Sequence, residues 1–214
     1  MNINQLRAMQ RSISERVRIE DAPQLSHLQY LGAFDIAIRD TTITCAAVVC
    51  KADTLEVIER KTLTMEAPMK YIPGYEAFRE GVAMLQIFYE LEYTPQLIFI
   101  TGAGIAHPIK AGLASYLGVE LETPTIGVAK KASYGTIKDD QIYVGDELRG
   151  TMVRTKDYAN PLAVSPGHLI SIPTAAEWVR KTIVPPHKKP EPLHIAGRIA
   201  KKTAERRMMS DDDE

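Results

Sequence analysis

One apolar run that leads into a glycine turn limits the fold of this chain more than any other segment. Residues 97–100 are four consecutive apolar residues, which is typical of a short strand buried on both faces. Gly102 and Gly104 then form a Gly-x-Gly turn, and an apolar helical pattern covers residues 109–117. This order predicts a sheet covered by helices, in which ligands collect beyond the carboxyl ends of the strands. The alternative is that the two glycines only make a tight turn.

Strand and helix patterns alternate along the rest of the chain. Three strand-like runs joined by short links predict an antiparallel meander over residues 30–38, 42–50 and 55–64. Further patterns predict a helix over 75–91, strands over 123–129 and 161–164, a hairpin arm over 138–155, and helices over 174–182 and 192–208. This is the order of a ribonuclease H-like α/β fold, a mixed sheet flanked by helices in a single domain.

The two ends of the chain differ from its centre. Residues 3–21 read as a polar helix, so residues 1–28 are expected to form a helical extension of a domain spanning 29–208. The last helix carries a basic stripe, which either lies in solvent or follows nucleic acid. The acidic residues at the end predict a disordered tail over 209–214. A proline-rich linker is expected over 184–190.

Composition places the chain among globular proteins. The sequence is 214 residues long and 45% hydrophobic, which is enough for one sizeable core. It contains no apolar stretch of membrane-spanning length and no signal-peptide core, so we expect a cytoplasmic protein without membrane contact. Cys45 and Cys50 lie five residues apart on one strand, so they face opposite sides and cannot pair.

Two carboxylates stand in apolar surroundings. Asp35 lies between Phe34 and Ile36 in the first strand, where an unpaired charge is costly. Glu80 shares a helix face with apolar residues. The functional interpretation is that both point into one site. The alternatives are an exposed strand position for Asp35 and simple stabilisation by the helix dipole for Glu80.

Other candidates lie on loops and at strand ends. Tyr71 precedes Pro73 and Gly74 in a loop, where an aromatic ring either stacks on a base or anchors the loop. Lys130 follows a predicted strand and can hold a phosphate, or it is simply solvated. His168 closes a predicted turn over 165–168, where a phosphate or base contact and a structural hydrogen bond are equally compatible with the pattern.

Seven segments in fixed order resemble endonuclease V, the family that nicks nucleic acid next to deaminated bases, chiefly inosine. They are GAFD at 32–35, YIPG at 71–74, FREG at 78–81, GIAHP at 104–108, GLAS at 112–115, PTIGVAK at 124–130 and SPGH at 165–168. Each segment alone is a weak signal, and the seven together cover roughly residues 30–200. The chain is therefore identified as a member of this family.

The resemblance implies a role for each matching residue. It implies that the catalytic residues are Asp35, Glu80, His107 and Lys130, with Asp35, Glu80 and Thr101 at a metal site for Mg²⁺ or Mn²⁺. It implies substrate contacts from Tyr71, Pro73, Gly74, Gly102, Gly104 and His168, with Tyr71 as a wedge that helps to expose the damaged base. The implied partner is DNA or RNA that contains deaminated bases, bound by a chain expected to be monomeric.

Two positions depart from the family pattern. Thr101 and Gly197 stand where the family has metal-binding side chains. Two magnesium ions carry four positive charges, and Asp35 and Glu80 alone offset few of them, so only one ion is expected to be held. Thr101 offers a neutral hydroxyl as a weaker ligand. Two functions stay open: a repair endonuclease that hydrolyses a phosphodiester near inosine with Mg²⁺, or an inactive or strongly impaired homologue that binds nucleic acid.

Overall fold

The computed structural model describes residues 2–211, with side-chain surroundings for residues 2–206. These residues form one nine-stranded mixed sheet in the order β3-β2-β1-β4-β5-β9-β8-β7-β6. The strands are β1 (Tyr30–Arg39), β2 (Thr42–Lys51), β3 (Val57–Glu66), β4 (Leu97–Thr101), β5 (Thr125–Ala129), β6 (Thr136–Lys138), β7 (Gln141–Val144), β8 (Glu147–Val153) and β9 (Leu162–His168). The predicted ribonuclease H-like order of elements is confirmed.

Helices cover both faces of the sheet. They are α1 (Ile3–Arg16), α2 (Glu76–Tyr89), α3 (Leu113–Leu121), α4 (Ile172–Lys181) and α5 (Glu191–Asp211). One apolar core lies between the sheet and α2 with α3, and the other lies between the sheet and α4 with α5. Cys45 belongs to the first core and Cys50 to the second, so the prediction that they face opposite sides and stay unpaired is confirmed.

The pairing of the central strands determines where a site can form. β1 pairs in parallel with β4, and β4 pairs in parallel with β5, because helices α2 and α3 make the crossovers. The carboxyl ends of β1, β4 and β5 therefore meet at one edge of the sheet. This edge carries Asp35 near the end of β1, Thr101 at the end of β4, and Lys130 directly after β5.

Three predicted boundaries are wrong. α3 begins at Leu113 rather than at residue 109, because Gly112 packs against the carbonyl oxygens of Ala103 and Gly104 and the preceding loop folds back on the sheet. α1 ends at Arg16 rather than at residue 21. α4 starts with Ser171 as its cap, since the Ser171 hydroxyl accepts the Thr174 N–H, so the predicted start at residue 174 is three residues late.

The predicted turn over residues 165–168 is also wrong. These residues continue strand β9 to His168, and a bulge opposite Thr125 and Ile126 accommodates the proline. β9 runs antiparallel to β5, so His168 pairs with Thr125 at the start of β5. His168 consequently lies at the opposite edge of the sheet from Asp35 and Thr101.

Both ends of the described chain are helical. Leu6 and Ile13 of α1 are buried against Phe78 and Val119, so the N-terminal segment belongs to the same packed body. The α5 backbone continues to Asp211, and residues 212–214 of the predicted tail lie outside the described residues. No helix in the described part of the chain is both long and apolar enough to cross a membrane.

Candidate functional site

A cleft of about 370 Å³ opens at the edge where β4 ends. It lies between the loop of residues 70–74, which we call the tyrosine loop, the first turns of α2, and the segment that follows β4. Its lining includes six of the predicted site residues: Tyr71, Pro73, Glu80, Thr101, Gly102 and His107. The structure therefore brings residues that are far apart in the sequence to one concave surface.

The tyrosine loop is held in place by a single carboxylate. Glu76 Oε1 accepts hydrogen bonds from the Tyr71 hydroxyl and from the Gly74 N–H, each at 3.1 Å. The bond to Glu76 raises the pKa of the Tyr71 phenol above its usual value. Gly74 has φ of +83°, a left-handed conformation that favours glycine. The Tyr71 ring is 58% exposed, so it stands at the rim of the cleft with its hydroxyl fixed.

His107 supports the same loop from inside the protein. Its Nε2 lies 3.0 Å from the Gly74 carbonyl oxygen, and its Nδ1 accepts the Ile109 N–H at 3.4 Å. These two contacts match a neutral ring that carries its proton on Nε2. Burial lowers the pKa of the imidazole, which favours the same form. His107 thus joins the tyrosine loop to the segment after β4, and its ring edge packs against Tyr134 at a centroid distance of 5.2 Å.

Glu80 lies on α2 on the inner side of the cleft. Burial raises the pKa of its carboxyl to about 7, and the nearby charges of Glu76 and Asp35 act in the same direction. Arg79 Nη1, 3.8 Å from Glu80 Oε1, opposes this shift only in part. At neutral pH the Glu80 side chain is therefore divided between its protonated and ionised forms, which weakens it as a counter-charge for a cation.

Asp35 is paired with a lysine that the sequence did not point to. The carboxylate is 6% exposed, and its Oδ1 accepts the Ile36 N–H at 2.8 Å. The Lys189 ammonium donates to Asp35 Oδ2 at 2.9 Å and lies 3.4 Å from the Thr101 hydroxyl oxygen. The cost of burying Asp35 is thus offset by a cation of the protein itself.

Gly197 on α5 makes room for this arrangement. A Cβ atom at position 197 would lie 2.6 Å from Asp35 Oδ2, which is closer than carbon and oxygen can approach without a shift. Because residue 197 has no side chain, the Asp35 carboxylate rests directly against α5 and faces Lys189. The two departures seen in the sequence, Thr101 and Gly197, therefore both lie next to Asp35.

The side chains around Asp35 do not fit a divalent metal. The two carboxylates available are Asp35, which is bound to Lys189, and Glu80, whose carboxyl pKa is raised to about 7 by burial. Within residues 2–206, no group of three or more histidine, cysteine, aspartate or glutamate side chains is placed to hold a metal ion. An Mg²⁺ or Mn²⁺ ion next to Asp35 would also meet the positive charge of Lys189. The ligand set implied by the sequence is thus incomplete.

Five predicted site residues are not part of the cleft lining: Asp35, Gly74, Lys130, Gly104 and His168. Lys130 is exposed just after β5, on the same sheet edge as Thr101. Gly104 is buried, and its N–H donates to the Ser165 hydroxyl at 2.8 Å, so it serves the packing of β4 against β9. His168 is 3% exposed at the far edge, where its Nδ1 accepts the Arg18 N–H at 3.2 Å.

Sequence reasoning missed Lys189, Glu76 and Tyr134. Lys189 lies in the proline-rich linker, 154 residues from Asp35 in the sequence, and no periodic pattern points to it. Glu76 opens α2, where an acidic residue is common for helix stability alone. The apolar surroundings of Asp35 could have prompted a search for a cation such as Lys189. The loop position of Tyr71 could have prompted a search for a hydrogen-bond acceptor such as Glu76.

Comparison with known proteins gives consistent matches over nearly the whole chain. The family model for Endonuclease V matches residues 11–198. Endonuclease V from Dictyoglomus thermophilum is 38% identical over 202 residues, covering 91% of this chain and 87% of the relative. The crystal structure of the Endonuclease V from Streptomyces avermitilis has a TM-score of 0.89 at 30% identity, covering 97% of this chain and 95% of that one.

One similar structure contains nucleic acid. Endonuclease V from Ciona intestinalis was solved in complex with a 23mer DNA containing an inosine followed by a ribo-adenosine. It has a TM-score of 0.86 at 24% identity, covering 95% of this chain and 97% of that one. At this identity the likeness establishes a shared fold.

Proposed function

Because this chain belongs to the endonuclease V family, we propose that it recognises inosine in nucleic acid and that its metal-dependent hydrolysis is lost or strongly impaired. The chain would act on DNA or RNA that contains deaminated bases, and its principal activity would be selective binding. The supporting observation is the contrast within one site: the tyrosine loop and the cleft behind it are fully built, whereas Asp35 is bound to Lys189.

The cleft suits a base taken out of a stack. Its volume of about 370 Å³ falls in the range of small-molecule sites, and the exposed Tyr71 ring stands at its rim. An aromatic ring in that position can occupy the gap that a flipped base leaves, or can stack on a neighbouring base. Glu76 and His107 fix the loop before nucleic acid binds. Binding therefore loses little further conformational entropy of the loop.

A second candidate function is hydrolysis of a phosphodiester near the deaminated base, as a DNA-repair endonuclease that uses a single Mg²⁺ or Mn²⁺ ion. It is favoured by Asp35 and Glu80, whose charges are close enough to interact, and by Lys130 on the same sheet edge as Thr101. It requires the Lys189 ammonium to leave Asp35 when nucleic acid and metal bind.

The experiment is a binding and nicking comparison on matched oligonucleotides. We would measure fluorescence anisotropy with inosine-containing and adenosine-containing duplexes, in DNA and RNA versions, and follow strand nicking in magnesium or manganese. We expect tighter binding to the inosine duplex and little nicking. Equal affinity for the two duplexes would contradict the proposal.

Two tyrosine variants separate loop function from general surface effects. Tyr71→Ala removes the ring at the rim and should weaken binding to the inosine duplex about tenfold, the scale of one lost base stack. Tyr89→Ala is the matched control, because Tyr89 is 72% exposed at the end of α2 and is not part of the cleft lining. Equal effects of the two changes would remove the tyrosine loop from the recognition surface.

A further inference from the structure

Lys189 is held at the site by its own segment of chain. The Lys188 carbonyl accepts the Thr155 hydroxyl at 2.6 Å, and His187 Nδ1 lies 2.6 Å from Glu191 Oε2 at the start of α5. Pro190 is buried between these anchors. A lysine on a free surface loop would place its ammonium in many positions, whereas this one is directed at Asp35.

The Lys189 ammonium can still bind a ligand. The side chain is 22% exposed, so it is not sealed in the interior. An ammonium has three N–H donors, of which one points to Asp35 and one to Thr101. Lys189 does not itself line the cleft, but its neighbour Thr101 does, so the third donor can bond an anion that enters from there. A phosphate oxygen of bound nucleic acid is an anion of the right kind.

Three residues determine the surroundings of Asp35. Thr101 is neutral, Gly197 leaves room for the carboxylate, and Lys189 supplies a single positive charge. A cation that lies between a carboxylate and a phosphate places a positive charge between two negative ones. A metal ion creates the same arrangement of charges in nucleases. A lysine ammonium can lie between the carboxylate and the phosphate and attract both. It cannot activate water as a metal ion does.

Resting on the proposed recognition of inosine, we propose that Lys189 is a built-in cation that replaces the divalent metal and binds a phosphate of the nucleic acid. Binding is then independent of Mg²⁺ and Mn²⁺. The substrate class does not change. Asp35 becomes a positioning residue for the lysine.

The test measures affinity in EDTA and in Mn²⁺ for the wild type, Lys189→Gln and Lys188→Gln. Lys188 is the matched control because it carries the same charge one residue away and has its backbone, rather than its ammonium, in a described hydrogen bond. We expect the wild type to bind equally well in both buffers. Lys189→Gln should bind about tenfold more weakly in EDTA, the effect of one charged hydrogen bond, and Lys188→Gln less than threefold more weakly.

A second variant separates phosphate binding from folding. Lys189→Gln leaves Asp35 without its partner, so the double variant Asp35→Asn/Lys189→Gln, which has no unpaired charge, is measured beside it. The double variant should lose the same affinity as the single one. Wild-type binding that tightens in Mn²⁺, or equal losses for the variants at positions 188 and 189, would overturn the inference.

Measuring both the inosine duplex and its unmodified counterpart keeps the two proposals apart. A phosphate contact contributes to the affinity for both duplexes. The loss of affinity in Lys189→Gln can therefore be measured even if the protein does not select inosine. Equal wild-type affinity for the two duplexes would refute the proposed function alone. Selective binding with no specific effect of Lys189 would refute the built-in cation alone.

Discussion

The two ends of the site are built on different physical principles. At the loop end, formed by Tyr71, Gly74, Glu76 and His107, hydrogen bonds to the Glu76 carboxylate and to the neutral His107 ring fix a loop around an open cleft. At the lysine end, formed by Asp35, Thr101, Lys189 and Gly197, an ion pair occupies the position where charge would be needed for chemistry. On the proposed function, this chain keeps the end of the site that selects a base, while the end that would cut the strand is altered.

The largest expected effect comes from rebuilding the lysine end. The triple variant Thr101→Asp/Lys189→Leu/Gly197→Asp adds two carboxylates and removes the ammonium that competes with a metal. We expect its nicking of an inosine duplex in Mn²⁺ to exceed that of the wild type by about two orders of magnitude, since metal ligands govern the stabilisation of the charged transition state. Denaturing gels with a labelled strand give the rate.

Asp35→Ala in the rebuilt background is the control and should abolish the gain. Thermal unfolding of the triple variant shows whether the new side chain at position 197, which must displace Asp35, is tolerated. A folded variant that binds Mn²⁺ and still does not nick would show that the lysine end is not what limits hydrolysis.

The next largest effect is on stability, because removing Lys189 and removing Asp35 should destabilise the fold by different amounts. Lys189→Ala leaves the buried Asp35 carboxylate without a partner and should lower the free energy of unfolding by about 2–3 kcal/mol. Asp35→Ala should lower it by about 1 kcal/mol, because the partly exposed Lys189 can turn toward water. Urea denaturation at neutral pH measures both values. Equal losses would show that Asp35 is less dependent on the lysine than its burial indicates.

A smaller effect tests the loop end. His107→Ala removes the side chain that joins Gly74 to the segment after β4, so the tyrosine loop should loosen and affinity for the inosine duplex should fall about fivefold. His27→Ala is the control, because His27 is exposed outside the cleft lining. Anisotropy titrations compare the two variants, and unchanged affinity for His107→Ala would mean that the hydrogen bonds of Glu76 and Gln10 hold the loop without His107.

The smallest effect on binding is expected for His168. His168→Gln should change affinity less than about twofold, because the residue is buried at the opposite sheet edge. The substitution should instead change how the free energy of unfolding depends on pH. Burial lowers the pKa of His168 to about 4, so its neutral form stabilises the fold above the unfolded pKa of about 6.5. That contribution, about 3 kcal/mol, is lost as pH falls from about 6.5 to 4.

Denaturation at several pH values checks this point. The Arg18 N–H already donates to His168 Nδ1, so a proton on that nitrogen would break the bond. The wild type should lose stability over this interval more steeply than His168→Gln. Equal slopes would show that the buried imidazole accepts a proton without cost.

Much of the loop end could be predicted from the sequence, because its residues are local. Tyr71, Pro73 and Gly74 form one short loop, and His107 closely follows the central strand, so motif spacing and the rule for parallel strand ends place them together. The same rule misplaced His168. Its strand runs antiparallel, so the end of β9 lies at the edge where the parallel strands begin.

The lysine end could be predicted only in part. The family resemblance indicated that Thr101 and Gly197 stand where carboxylate or histidine ligands are usual, but it could not show what takes their place. Lys189 comes from a segment without a hydrophobic period, and its contact with Asp35 spans 154 positions. A buried carboxylate without its expected partners implies that some cation is near, and only the folded chain identifies which one.

The most direct measurement is a pair of assays on one inosine-containing duplex: affinity in EDTA, and nicking after addition of Mn²⁺. We expect selective binding in EDTA that Lys189→Gln weakens about tenfold, and little nicking in Mn²⁺. Binding that requires the metal, together with nicking that Asp35→Ala abolishes, would contradict the central claim that a lysine has replaced the metal in this site.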